Sequence, residues 1–102
     1  MIQFAYSGLF LDVPGSSTRS GEKIIQYHLN ARCNQRWRVV KLGTNKYIII
    51  SVRSQKCLMV HKEKQKAGTE IVQMDLQKDS PAQLWSLHHQ GGSLYIIKSH
   101  LR

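Results

Sequence analysis

Gln35-Arg36-Trp37 and Gln83-Leu84-Trp85 are two copies of one tripeptide, and the residues upstream of them fall into register as well. With a shift of 47, Ser7, Leu11, Val13, Gly21, Ile24, Gln26 and Leu29 land on Ser54, Leu58, Val60, Gly68, Ile71, Gln73 and Leu76. One residue is gained between Gln73 and Gln83. With a shift of 48, Gln35, Trp37 and Tyr47 then land on Gln83, Trp85 and Tyr95. Coincidence at that many positions with a single one-residue slip identifies a tandem repeat.

The spacing predicts strands throughout. Leu9-Phe10-Leu11-Asp12-Val13 and Lys56-Cys57-Leu58-Met59-Val60 are short apolar stretches bounded by Ser or Gly and by polar residues. Lys23-Ile24-Ile25-Gln26-Tyr27 and Glu70-Ile71-Val72-Gln73-Met74 are β-branched runs that follow Gly21 and Gly68. Arg36-Trp37-Arg38-Val39-Val40 and Leu84-Trp85-Ser86-Leu87 alternate with period two, and 47–52 and 94–97 are β-branched or aromatic. No window keeps the i, i+3, i+4, i+7 apolar pattern of a helix. Four strands per repeat, with turn chemistry between them, predict a small closed β architecture.

The order S-G-x-x-L-D-V, glycine, I-x-Q, then N-Q-x-W between Ser7 and Trp37 resembles the ricin-B-type (R-type) lectin domain, a β-trefoil. The likeness covers nearly the whole chain, and the paired Q-x-W signatures make it specific. It implies that both tryptophans are core and that the Gln of Q-x-W is structural. Alternation of a large aromatic with polar neighbours independently places Trp37 and Trp85 in a core. The expected fold is therefore all-β: a trefoil with two full repeats, 1–46 and 47–93, and the first strand of a third, 94–102. Residues 1–6 align with the second half of the 47–52 strand. A trefoil closes its barrel with three repeats, so Trp37 and Trp85 are expected to border an opening that a second chain or a partner segment would complete, or else the further residues of a longer protein from which this chain is cut.

The resemblance also implies a sugar pocket in each repeat. An Asp after the Leu of the second strand accepts hydrogen bonds from neighbouring hydroxyls. An aromatic two residues beyond the I-x-Q glutamine stacks on the apolar face of the ring, and an Asn before Q-x-W adds a polar contact. Repeat one keeps Asp12, Gln26 and Asn34, with His28 at the stacking position. Tyr27 is a possible substitute, although strand alternation is expected to turn it to the other face. Asp12 before Pro14-Gly15 would also serve simply to cap a turn. Repeat two has Met59, Asp75 and Ala82 at the three decisive positions, so its pocket is expected to be dead.

Composition sets the remaining bounds. A chain of 102 residues holds one domain with a modest core. Its start lacks the pattern of a signal peptide, and no apolar run reaches membrane-spanning length. R-type domains often bridge the second and third strands of a repeat by a disulfide. Here Cys57 would face Leu76, and Phe10 would face Leu29, so no disulfide framework is expected and a cytoplasmic location is. The five histidines show no zinc spacing with the two cysteines, no motif frames a nucleophilic serine, and neither cofactor nor catalysis is expected.

Fifteen Lys and Arg against six Asp and Glu give a net charge of +9. Lys62, Lys64 and Lys66 with His61, and Arg32, Arg36 and Arg38, would form basic surfaces that favour an anionic partner. Nucleic acid is disfavoured, because aromatics are not interleaved with the basic residues. Two functions compete on these grounds. One is a lectin-like module taking a galactose-like or anionic sugar through Asp12, Gln26, His28 and Asn34. The other is an interaction module, derived from a lectin fold, with a basic surface for an acidic protein.

Overall fold

The computed structural model describes residues 1–101; Arg102, the last residue assigned to the third unit, lies outside them. Repeat one opens with an extended segment in which Gln3 bridges Phe10. It continues with β1 (Phe10–Asp12), β2 (Ile25–Tyr27) and β3 (Trp37–Gly43). Repeat two comprises β4 (Lys46–Ser51), β5 (Cys57–Val60), β6 (Ile71–Met74) and β7 (Trp85–Gly91), and β8 (Leu94–Ser99) begins a third unit. All ladders are antiparallel, and the Gln3–Phe10 bridge repeats as Ile50–Cys57. This is the expected trefoil arrangement. No helix of the described residues is long and apolar enough to cross a membrane.

The copying extends to backbone angles. Left-handed residues recur as Gly8 and Gln55, Gly15 and Lys62, and Ser16 and Glu63 at the shift of 47, and as Ala31 and Asp79 at 48. Asn30 and Gln77, by contrast, donate to equivalent glutamines at the shift of 47. The extra residue of repeat two is therefore Lys78. Non-glycine residues are uncommon in the left-handed region, so their recurrence shows that the repeat dictates the turn whatever residue occupies it.

Both tryptophans are buried, each at the start of the last strand of its repeat, together with Val13, Ile49, Leu58, Val60 and Val72. Each indole N–H donates back to the second strand: Trp37 Nε1 to the Leu11 carbonyl at 3.0 Å, and Trp85 Nε1 to the Leu58 carbonyl at 3.1 Å. An indole needs such an acceptor when it is taken from water. Repeat one is fastened to repeat two by residues 17–24, which lie along β6. Ile24 N–H donates to the Ile71 carbonyl, and Gly21 N–H to that of Gln73. The fully buried Gln73 amide donates to the carbonyls of Ser17 and Arg19 at 3.1 and 2.9 Å.

The tryptophans do not border the opening. It is a slot of about 430 Å³ lined by Ile2, Ile49 and Ile97, three equivalent positions, and by Val39 and Leu87, which are also equivalent. Val39 and Leu87 stand two residues beyond the indoles along β3 and β7, and neither Trp37 nor Trp85 lines the slot. β8 is exposed from Leu94 through Lys98.

Candidate functional site

A polar cleft of about 480 Å³ opens in repeat one between the end of β1, the Pro14–Ser16 turn, β2 and residues 30–34. Asp12 ends β1 and is only 2% exposed. Its carboxylate does not cap the following turn. Instead Oδ2 accepts from Gln35 Nε2 at 2.8 Å and from Asn34 Nδ2 at 3.2 Å. Among the described residues no protein group donates to Oδ1. A buried carboxylate held at one oxygen and open at the other is an acceptor awaiting a donor.

Gln35 is the organiser. Its Oε1 accepts from the N–H groups of Asn30 and Ala31 at 2.8 and 3.3 Å, while Nε2 serves both Asp12 and the His28 carbonyl at 2.7 Å. One fully buried side chain thus fixes the turn at 30–32 and the carboxylate together. Asn34, 6% exposed, also donates weakly to the Val13 carbonyl at 3.4 Å, and its Oδ1 is buried without a partner. An orphaned buried acceptor is rare enough to call for a ligand or a water.

The four residues expected to form the pocket separate into two pairs. Asp12 and Asn34 meet directly and line the cleft. Gln26 lies outside the lining and accepts from Ser7 Oγ at 2.8 Å, as its counterpart Gln73 accepts from Ser54 Oγ at 2.7 Å. His28 is exposed outside the lining, its ring edge-on to Tyr27 at 5.6 Å between centroids. Tyr27 itself lines the cleft, which corrects the expectation that it faces away. The register explains it: Asp12 pairs with Ile25, so Tyr27, two residues on, shares the carboxylate's face. Arg32 and Asn30 complete the lining and were not assigned to the pocket by motif, because the resemblance carries no residue at either position.

In repeat two the same frame is built around different side chains. Gln83 accepts from Gln77 N–H and donates to the Asp75 carbonyl, both at 2.8 Å. Where Asp12 would be, the buried Met59 places its sulfur 3.6 Å from Gln83 Nε2. Ala82, fully buried, replaces Asn34, and Asp75 is drawn to Lys56 at 3.4 Å. Both thiols are free: Cys33 is exposed, and burial, with help from the Asp75 charge, pushes the Cys57 thiol above its ordinary value. Among the described residues no three His, Cys, Asp or Glu side chains gather to hold a metal ion.

Comparison with known proteins agrees with the fold. The family model for ricin-type beta-trefoil lectin domain-like proteins matches residues 1–74 and again 34–101. The crystal structure of the designed three-fold symmetric protein ThreeFoil superposes with a TM-score of 0.89 at 32% identity, over 93% of this chain and 68% of that one. That of 1,3Gal43A, an exo-β-1,3-galactanase from Clostridium thermocellum, gives 0.85 at 28% identity, over 91% of this chain but only 20% of that one. No curated protein sequence matches. The overlapping family matches, set on the repeated Q-x-W frame, show that the chain belongs to the ricin-type β-trefoil lectin-like family.

Proposed function

We propose that the chain is a non-catalytic carbohydrate-binding module that takes one sugar, at the repeat-one cleft. The observation that carries this reading is the Asp12 carboxylate, buried, braced through Oδ2 by Gln35 and Asn34, and unserved at Oδ1. A carboxylate in that state can accept from neighbouring sugar hydroxyls, as in a galactose-like pyranose. The Tyr27 ring on the same face offers an apolar platform for the C–H face of the sugar. His28 sits beside Tyr27 as a second ring at the rim, and Gln26 acts through the strand pairing that places both.

Titration calorimetry with methyl β-galactoside and its oligomers tests the assignment. Asp12→Asn should weaken binding at least about tenfold, since a charge-assisted hydrogen bond is roughly twice as strong as a neutral one. Asp75→Ala, at the place in repeat two that His28 holds in repeat one, should leave it unchanged. Undiminished binding by Asp12→Asn, or equal loss in both variants, contradicts the reading.

A second function, as an interaction module, draws support from the apolar slot between Ile2 and Ile97 and the exposed β8. Exposed strand edges and apolar patches recruit other chains. Light scattering at micromolar concentration would find assemblies above the monomer mass if the slot is used in this way, and a monomer if it is not.

A further inference from the structure

We infer that the repeat-one cleft selects a pyranose bearing a negative substituent, a carboxylate or a sulfate, with Arg32 as the residue that reads the charge. This rests on the sugar-binding reading of the same cleft. The Arg32 side chain is exposed, lines the cleft, and pairs with no carboxylate among the described residues. Its neighbour in the lining, Asp12, is likewise free of any ion pair. Two opposite charges in one cleft that do not neutralise each other suit a ligand with hydroxyl donors at one end and an anion at the other.

The backbone that carries Arg32 and the Asp12 carboxylate are held in one frame. Arg32 N–H donates to Asn30 Oδ1 at 2.9 Å, and the N–H groups of Asn30 and Ala31 are both held by Gln35 Oε1. Gln35 Nε2 is the donor that braces Asp12. The turn presenting the guanidinium and the strand presenting the carboxylate are therefore pinned to one buried side chain.

Nor does the repeat require an arginine there. The 3-10 turns Cys33–Gln35 and Pro81–Gln83 are preceded by Arg32 and Ser80 in equivalent places. Ser80 is buried, and its Oγ donates to Glu63 at 3.4 Å, across the position where repeat one leaves Ser16 and Arg32 lining an open cleft. A net charge of +9 further favours the approach of anionic ligands.

Methyl galacturonoside, methyl galactoside 6-sulfate and methyl galactoside test the inference, because they share the anomeric group and ring hydroxyls and differ at the sixth carbon. Titrated at low salt, one or both acids should bind about tenfold more tightly than the neutral sugar, and preference for one alone names the group. Arg32→Gln should abolish the preference. Neutralising Lys62, Lys64 and Lys66 together should leave the preference intact. Equal affinities in the parent chain, a preference that survives Arg32→Gln, or one lost with the lysines would overturn it. Neutral binding that depends on Asp12 with no advantage for either acid would sink the inference alone. No binding of any of the three sugars would sink the sugar reading with it.

Discussion

Gln35 and Gln83 perform the same structural work with different neighbours, a carboxylate at Asp12 in one repeat and a thioether at Met59 in the other. Each supports a turn with its carbonyl and the end of a strand with its amide. Gln83→Ala would orphan the Gln77 N–H and the Asp75 carbonyl, costing roughly 2 kcal/mol of stability. Urea denaturation should show that loss with the ligand affinity unchanged, because no cleft residue is touched. The thiols give a second check at this scale. Cys33 is exposed, whereas Cys57 is buried with its thiol held in the protonated form. Iodoacetamide should label Cys33 in the native protein and Cys57 only after unfolding; equal labelling would contradict the packing of β5. The sequence made the tryptophans and glutamines readable through their period. It misdirected Tyr27, because alternation within one strand says nothing about which face a partner strand's carboxylate takes. Only the Asp12–Ile25 register settles that.

Among the elements, β2 and β6 are equivalent strands in unequal surroundings. β6 is covered by residues 17–24, and its Gln73 clamps two carbonyls of that segment. The same residue in β2, Gln26, is exposed and joined to Ser7. No local pattern distinguishes the two, since the clamp joins residues more than fifty positions apart. The contact is reinforced by Lys23 and Glu70 at 2.7 Å, which hold the ammonium above and the carboxyl below their ordinary values, chiefly through the hydrogen bond between them. The carboxylate's contribution is thus present above the ordinary glutamate range and fades as pH falls through it. The lysine's contribution fades as pH rises beyond the lysine range. Both partners are exposed, so the effect is small and screened by salt. β8 is the element with most uncovered apolar surface. Ile97→Lys should reduce any association seen by light scattering while leaving the unfolding free energy within about 0.5 kcal/mol of the parent's. Unaltered association in that variant would place the contact elsewhere.

For the whole molecule, the trefoil arrangement was legible because a repeated sequence must repeat its contacts, down to the carbonyls that cap Trp37 and Trp85. The shape of the opening was not. It depends on which side chains stack into one layer of the barrel, and Ile2, Val39, Ile49, Leu87 and Ile97 come together only when the strands close around it. The same holds for the cleft: Asp12 and Asn34 were marked by motif, but Arg32 and Tyr27 join them through register and a turn. The repeat-one cleft is thus built on a frame that the chain uses twice. Its central claim, that repeat one alone binds sugar, is tested most directly by titrating the nitrogen-15-labelled chain with galacturonic acid and methyl galactoside and following each amide by NMR. The expected result is a saturable set of shifts at Asp12, Tyr27, Arg32 and Asn34, with Met59, Asp75 and Ala82 unmoved. Shifts of equal size in both repeats, or shifts confined to the lysine-rich loop at 61–70, would contradict it.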